Sequence, residues 1–159
     1  MSLFTSVLTP RQFRVWDLFR SGLRQSSIAR RLKISRQATN LTLNQAHLKM
    51  NRALRAAAKL HNLQIDAIDE QQGFITGYSP PARTRLTILY TLRYGLRVWY
   101  HHDTGDCHGC PEYETCIDTL KEEALRRGIV ITKRESALQP GQLAELLFAR
   151  IKEISKKRR

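Results

Sequence analysis

Apolar positions in the first 62 residues recur with the 3.6-residue period of an amphipathic helix, and beyond them the period drops to two. Leu8-Thr9-Pro10-Arg11-Gln12 predicts a helix start: Thr9 can cap, Pro10 sits where no amide donor is missed, and Gln12 completes a capping box. Val15, Trp16 and Phe19 give that helix one apolar face, flanked by Phe13 and Leu18, to about Arg20, and Gly22 supplies the break. Ser26 or Ser27 can cap a short second helix with Ile28, Ala29 and Leu32 inward, and Lys33-Ile34 makes the next turn. Ser35 caps a third helix in which Thr39, Leu43 and Ala46 point inward. Without Gly or Pro from Ala46 to Asn62, this helix continues, and Met50, Leu54 and Ala57 extend an apolar stripe whose expected use is a dimer contact, ahead of a strut onto the next domain or packing within the chain.

After Asn62, Leu63 to Ile68 and Phe74 to Tyr78 alternate about an Asp69–Gly73 turn and predict a hairpin. Pro80-Pro81 interrupts the pattern, and a second hairpin is expected from Arg85 to His101 about Arg93-Tyr94-Gly95. Helices are expected from about Glu112 to Arg127, stopped by Gly128, and from Pro140 to Ile154, able to cover one face of the sheet. Ile129-Val130-Ile131 predicts an intervening strand, and Lys156 to Arg159 a frayed basic tail that touches a nucleic-acid backbone or nothing.

Charge divides the chain at the same place as the periodicity. Residues 1–62 carry twelve Lys and Arg against one acid, Asp17, a net +11; the remainder carries fifteen against thirteen, a net +2. So steep a positive field opposes compaction and suits a polyanionic partner, double-stranded DNA first. The third helix fits that partner: Arg36, Gln37, Asn40 and Asn44 fall on its outer face, where Arg can pair with guanine and Asn or Gln with adenine. Arg24, Arg30, Arg31 and Lys33 surround it as phosphate contacts, with Ser35 at its start. No apolar run approaches the ~20 residues that cross a bilayer, nor does the N-terminus read as a secretory signal; no membrane partner and a cytoplasmic location are expected.

Leu8-Thr9-Pro10-Arg11, Gly22-Leu23, Ile28-Ala29 with Leu32, and Ile34-Ser35-Arg36 resemble the three-helix unit of LuxR-type regulators, of sigma-factor region four and of the archaeal regulator Tfx. The resemblance covers about residues 7–50. It departs at Thr39, where an apolar β-branched residue is usual, and at the doubled Arg30-Arg31. It implies a helix-turn-helix that binds DNA, and two-fold operators favour a homodimer.

The sharpest chemical signal is Cys107-His108-Gly109-Cys110-Pro111 with Cys116, a C-x2-C-x5-C spacing that holds all three cysteines of the chain. An odd number within ten residues is poor material for a disulfide scaffold, and soft thiolates select zinc or iron–sulfur clusters. The spacing resembles that of oxygen-sensing fumarate–nitrate regulators and, with Pro after the second Cys, that of CRISPR-associated and recombination exonucleases bearing [4Fe–4S] clusters. Those families use a distant fourth Cys that is missing here, leaving His101, His102, His108 and Asp106 as fourth-ligand candidates. A [4Fe–4S] cluster is placed ahead of zinc on the spacing and Pro111.

The expected fold class is α+β: an all-α helix-turn-helix domain with a long connecting helix over 1–62, then a small α+β sensor or dimerisation domain with a cysteine-ligated metal centre over 63–159. The expected function is a sequence-specific transcriptional regulator, not an enzyme, that senses redox state or metal supply. Two alternatives stand beside it: a nuclease with a structural cluster, for which Asp66, Asp69, Glu70 and Asp103 make no recognisable carboxylate motif, and a non-sensing DNA binder with structural zinc.

Overall fold

The computed structural model describes residues 7–101 and 107–158. Helices α1 (Pro10–Arg20), α2 (Gln25–Leu32) and α3 (Arg36–Leu60) come first, then strands β1 (Gln64–Asp69), β2 (Phe74–Ser79), β3 (Thr84–Thr91) and β4 (Gly95–Tyr100), then α4 (Tyr113–Arg126) and α5 (Pro140–Lys157). The architecture is mixed α+β. Among the described residues no helix is long and apolar enough to cross a membrane.

The helix starts follow from local chemistry. Thr9 and Gln12 form the reciprocal capping box of α1, the Gln12 amide donating to Thr9 Oγ1 at 3.2 Å and the Thr9 amide to Gln12 Oε1 at 3.1 Å. Gly22 breaks the chain at φ +108°, a conformation that a side chain would oppose. Neither Ser26 nor Ser27 caps α2: the N-cap is Arg24, without a side-chain hydrogen bond, because the helix starts earlier than the serines suggest. Ser35 caps α3 by accepting from the Ala38 amide at 3.0 Å. At 25 residues, α3 is about 37 Å long.

The strands form one antiparallel meander in the order β1-β2-β3-β4, so Pro80-Pro81 turns the chain between paired strands rather than ending the sheet. Its two faces are buried by different helices, where the sequence pattern suggests cover on one. Ile75, Ile88 and Tyr90 join Val15, Trp16, Leu43, Met50 and Leu54 in a core beneath α1 and α3. Phe74 and Leu89 point the other way, into a core with Leu120, Leu143, Leu147 and Ile151 of α4 and α5. Each such fully buried apolar side chain contributes about 1.5–3 kcal/mol. The first core spans the residue-62 boundary.

That arrangement corrects three expectations. Met50 and Leu54 are fully buried and Ala57 packs against the same core, so the apolar stripe of α3 is spent within the chain and not on a second copy. Ile129-Val130-Ile131 is not a strand; the segment turns back after Gly128 and runs along α5, where Arg150 donates to the Val130 carbonyl at 3.0 Å and pairs with Glu135. Lys156 and Lys157 belong to the last turn of α5 rather than to a frayed tail.

Candidate nucleic-acid interface and cysteine cluster

The face of α3 is decided by what its partners bury. Thr39, Leu43 and Ala46 are buried, and Thr39 spends its hydroxyl on the Ser35 carbonyl at 2.9 Å. The helical period therefore turns Arg36, Gln37, Asn40 and Asn44 outward, and all four are exposed, as is Ser35. Leu41 and Leu48, each 60% exposed, share that outer surface. Guanidinium, amides and an apolar side chain on one convex helix face match the donors, acceptors and thymine methyl of a major groove.

Around this helix, Arg24, Arg30, Arg31 and Lys33 are exposed. Lys33 holds the α2–α3 turn at φ 54°, which ends α2 and sets the two helices at an angle. Arg30 and Arg31 also lie in the last turn of α2, where a positive charge complements the helix dipole, so part of their placement is structural. One turn beyond Asn44, His47 is stacked edge-on against Phe19 with ring centroids 5.6 Å apart. Burial lowers its pKa from the ordinary 6.5 against the pull of Glu70 and Asp69, so the exposed polar stripe of α3 grades into a packed histidine.

The cysteines gather where α4 and α5 begin. The Cys110 amide donates to the Cys107 carbonyl at 3.2 Å, closing a tight turn, and the Tyr113 amide to the Cys110 carbonyl at 3.1 Å, leading directly into α4. Cys116 sits in the first turn of α4, and Arg97 of β4 donates to its Sγ at 3.3 Å. Burial pushes the Cys116 thiol up, while Arg97 opposes that shift. Cys107 Sγ is 3.7 Å from the position of a Cβ on Gly141, the second residue of α5. Both helices thus begin at the thiols.

The fourth-ligand candidates divide. His108 reaches Gln139 before α5, at 2.8 Å between Nε2 atoms, and stacks on Tyr113. His101 is turned into the sheet layer, its Nε2 2.8 Å from Thr87 Oγ1 and its ring 6.1 Å from Phe148. His102 and Asp106 lie outside the described residues. Among the described residues, no three His, Cys, Asp or Glu side chains are arranged to hold a metal ion. The donor chemistry suits zinc or an iron–sulfur cluster, but the 107–110 turn would have to close on Cys116 to present it.

Two features escape the sequence. Arg20 and Arg127 are fully buried about Glu123, joining α1 to α4. Arg158, just past α5, lies over the Phe19 ring at 5.7 Å and 3.7 Å from the position of a Cβ on Gly22. The i,i+4 spacing of Glu123 and Arg127 is a signal for the first; nothing local signals the second.

No family model, no curated protein and no solved structure matches this chain.

Proposed function

We propose that the chain is a sequence-specific DNA-binding transcriptional regulator whose α1–α3 unit lays the outer face of α3 in the major groove. The observation that carries this reading is the simultaneous exposure of Arg36, Gln37, Asn40 and Asn44 on one face of a helix whose opposite face is buried. The phosphate contacts are Arg24, Arg30, Arg31, Lys33 and Ser35. Selection from a random duplex pool, followed by binding of Gln37→Ala and Asn40→Ala variants to the selected site, tests it. Loss of about 1–3 kcal/mol of discrimination for each supports the reading. Unaltered sequence discrimination in both variants, or no duplex binding by the wild type in dilute salt, overturns it.

In the same reading Cys107, Cys110 and Cys116, with one ligand from His101, His102, His108 or Asp106, hold a [4Fe–4S] cluster or zinc and report redox state or metal supply. A bound cluster supplies electron exchange and oxygen sensitivity; bound zinc supplies only a cross-link. What supports a sensing role is that α4 and α5 both start at the thiols and both end at the α1–α2 turn: a Cβ on Gly128 would stand 3.6 Å from the Ser21 carbonyl oxygen, and Arg158 stands against Gly22. A shift in the cysteine turn would be carried along two packed rods to the duplex-facing unit. Anaerobic purification with elemental analysis separates iron from zinc, and operator affinity with and without the metal tests the coupling. Dimerisation belongs to this proposal through the operator symmetry alone.

A further inference from the structure

We propose that Lys156, Lys157 and Arg158, at the end of α5, form part of the duplex-binding surface and grip a phosphate backbone beside the reading face of α3. The inference rests on the proposed DNA-binding function and adds a contact from the other end of the chain.

A chain of contacts places Arg158 there, and Lys156 and Lys157 precede it in the last turn of α5. Asn40, Asn44 and His47 follow one another at i, i+4 and i+7 on α3, so they share a stripe. His47 packs on Phe19 of α1, and the Arg158 guanidinium lies over the same Phe19 ring. Arg158 therefore stands one aromatic ring away from the stripe that carries two of the base-reading amides. Its other neighbour is the Gly22 turn, just before Arg24 and the start of α2, which no side chain caps. The first-turn amides of α2, an exposed arginine and the end of α5 thus converge on one edge of the helical unit.

All three residues are exposed. Lys156 lines a cleft with Asp66 and Asp69 of β1 without pairing with either, and Lys157 and Arg158 are likewise unpaired among the described residues. A positive charge in the last turn of a helix is favourable by itself, but three in succession exceed what the dipole needs. Phosphate is the ligand chemistry that takes such a row of point charges without demanding sequence.

The salt dependence of binding tests this in the full chain. Affinity for the selected duplex is measured between about 50 and about 200 mM salt, the range over which phosphate neutralisation is resolved. The wild type is compared with K156Q/K157Q/R158Q and with K121Q/K133Q/R134Q, which removes the same charge from exposed positions on α4 and on the segment before α5. The expected result is a plot of log affinity against log salt that is shallower by about 0.9 for each phosphate left unneutralised, so by roughly 2–3 for the C-terminal variant. The control variant keeps the wild-type slope. An unchanged slope in the C-terminal variant, or an equal change in the control, overturns the inference while leaving DNA binding intact. If the wild type itself binds no duplex, the functional reading fails and this grip on the backbone with it.

Discussion

Arg20 and Glu123, 103 residues apart in the chain, meet at 3.0 Å in a junction closed to solvent. Arg127 shares the same carboxylate and donates to the Gln72 carbonyl at 2.8 Å, while the Leu92 amide donates to Glu123 Oε1 at 3.0 Å. Arg20 also lies over the Trp16 ring at 4.4 Å and pairs with Asp17. The helical unit, the sheet and α4 are thereby joined at one point, in addition to their apolar packing.

Removing the Glu123 charge strands the buried Arg127 guanidinium and leaves Arg20 with Asp17 alone. Glu123→Gln keeps the shape and removes the charge, and a cost of about 3–5 kcal/mol is expected. For a chain of this size that corresponds to a fall in Tm of roughly 6–20 °C. Burial alone would raise the Glu123 carboxyl, but Arg127 and Arg20, with the hydrogen bonds from Arg127 and the Leu92 amide, outweigh it and hold it below the usual carboxylate range. Its contribution is therefore present above the ordinary glutamate pKa and is lost as pH falls through the lower, folded value. Thermal melts from about pH 7 downward through the acid range check both points. A wild-type acid transition no steeper than that of the variant would contradict them.

Gly73 is the second weak point of the same region. It lies at the turn into β2 with φ +65°, and a Cβ there would stand 2.9 Å from the Trp16 ring and 3.0 Å from Tyr90 Cβ. Trp16 cannot retreat, because its indole N–H donates to the Glu70 carbonyl at 2.9 Å and its ring packs edge-on against Tyr90. Gly73→Ala is expected to cost about 2–4 kcal/mol from overpacking together with the left-handed backbone. Urea denaturation measures it, and a loss below about 1 kcal/mol would show that the ring can move.

Much of this is legible where the cause is local. The Thr9–Gln12 box, the Ser35 cap, the Gly22 break and the two hairpins each depend on residues within a few positions of one another, and the structure has them. The misplaced elements depend on distant partners. Ile129 to Ile131 have strand composition, but their neighbour is α5 and not a sheet edge. Arg20 reads as the charged end of an exposed turn until Glu123 arrives from the other half of the chain. Met50 and Leu54 read as surplus apolar surface because nothing in α3 itself reveals that the sheet will cover them. For the candidate sites, periodicity orients Gln37, Asn40 and Asn44, whereas the position of Arg158 needs the full tertiary path of α5.

The two classes of candidate DNA contact separate in solution. Arg30→Gln with Arg31→Gln is expected to weaken binding to all duplexes by a similar factor and to flatten the salt dependence by about 0.9 per phosphate. Asn40→Ala is expected to leave the salt slope alone and to relax preference at one base pair, by about 1–3 kcal/mol. Competition assays with single-base operator variants distinguish them. The assignment fails if the arginine pair changes sequence preference and the asparagine does not.

The three thiols differ in exposure, and that difference can be turned into a test of whether they act together. Cys110 is exposed, whereas Cys107 and Cys116 are half-buried, the first beside Gly141 and the second accepting from Arg97. In metal-free protein, timed alkylation read by peptide mass spectrometry is therefore expected to modify Cys110 first and Cys116 last, because the buried thiol is also held more strongly protonated. Adding zinc, or rebuilding a cluster from iron and sulfide without oxygen, engages the sulfur lone pairs. All three rates should then fall together, since a centre that lacks one of three thiolates loses most of its affinity. Protection of one or two cysteines alone would mean that the turn does not close on α4. In that case Cys107, Cys110 and Cys116 are separate surface thiols, and the path along α4 and α5 has no metal-dependent signal to carry.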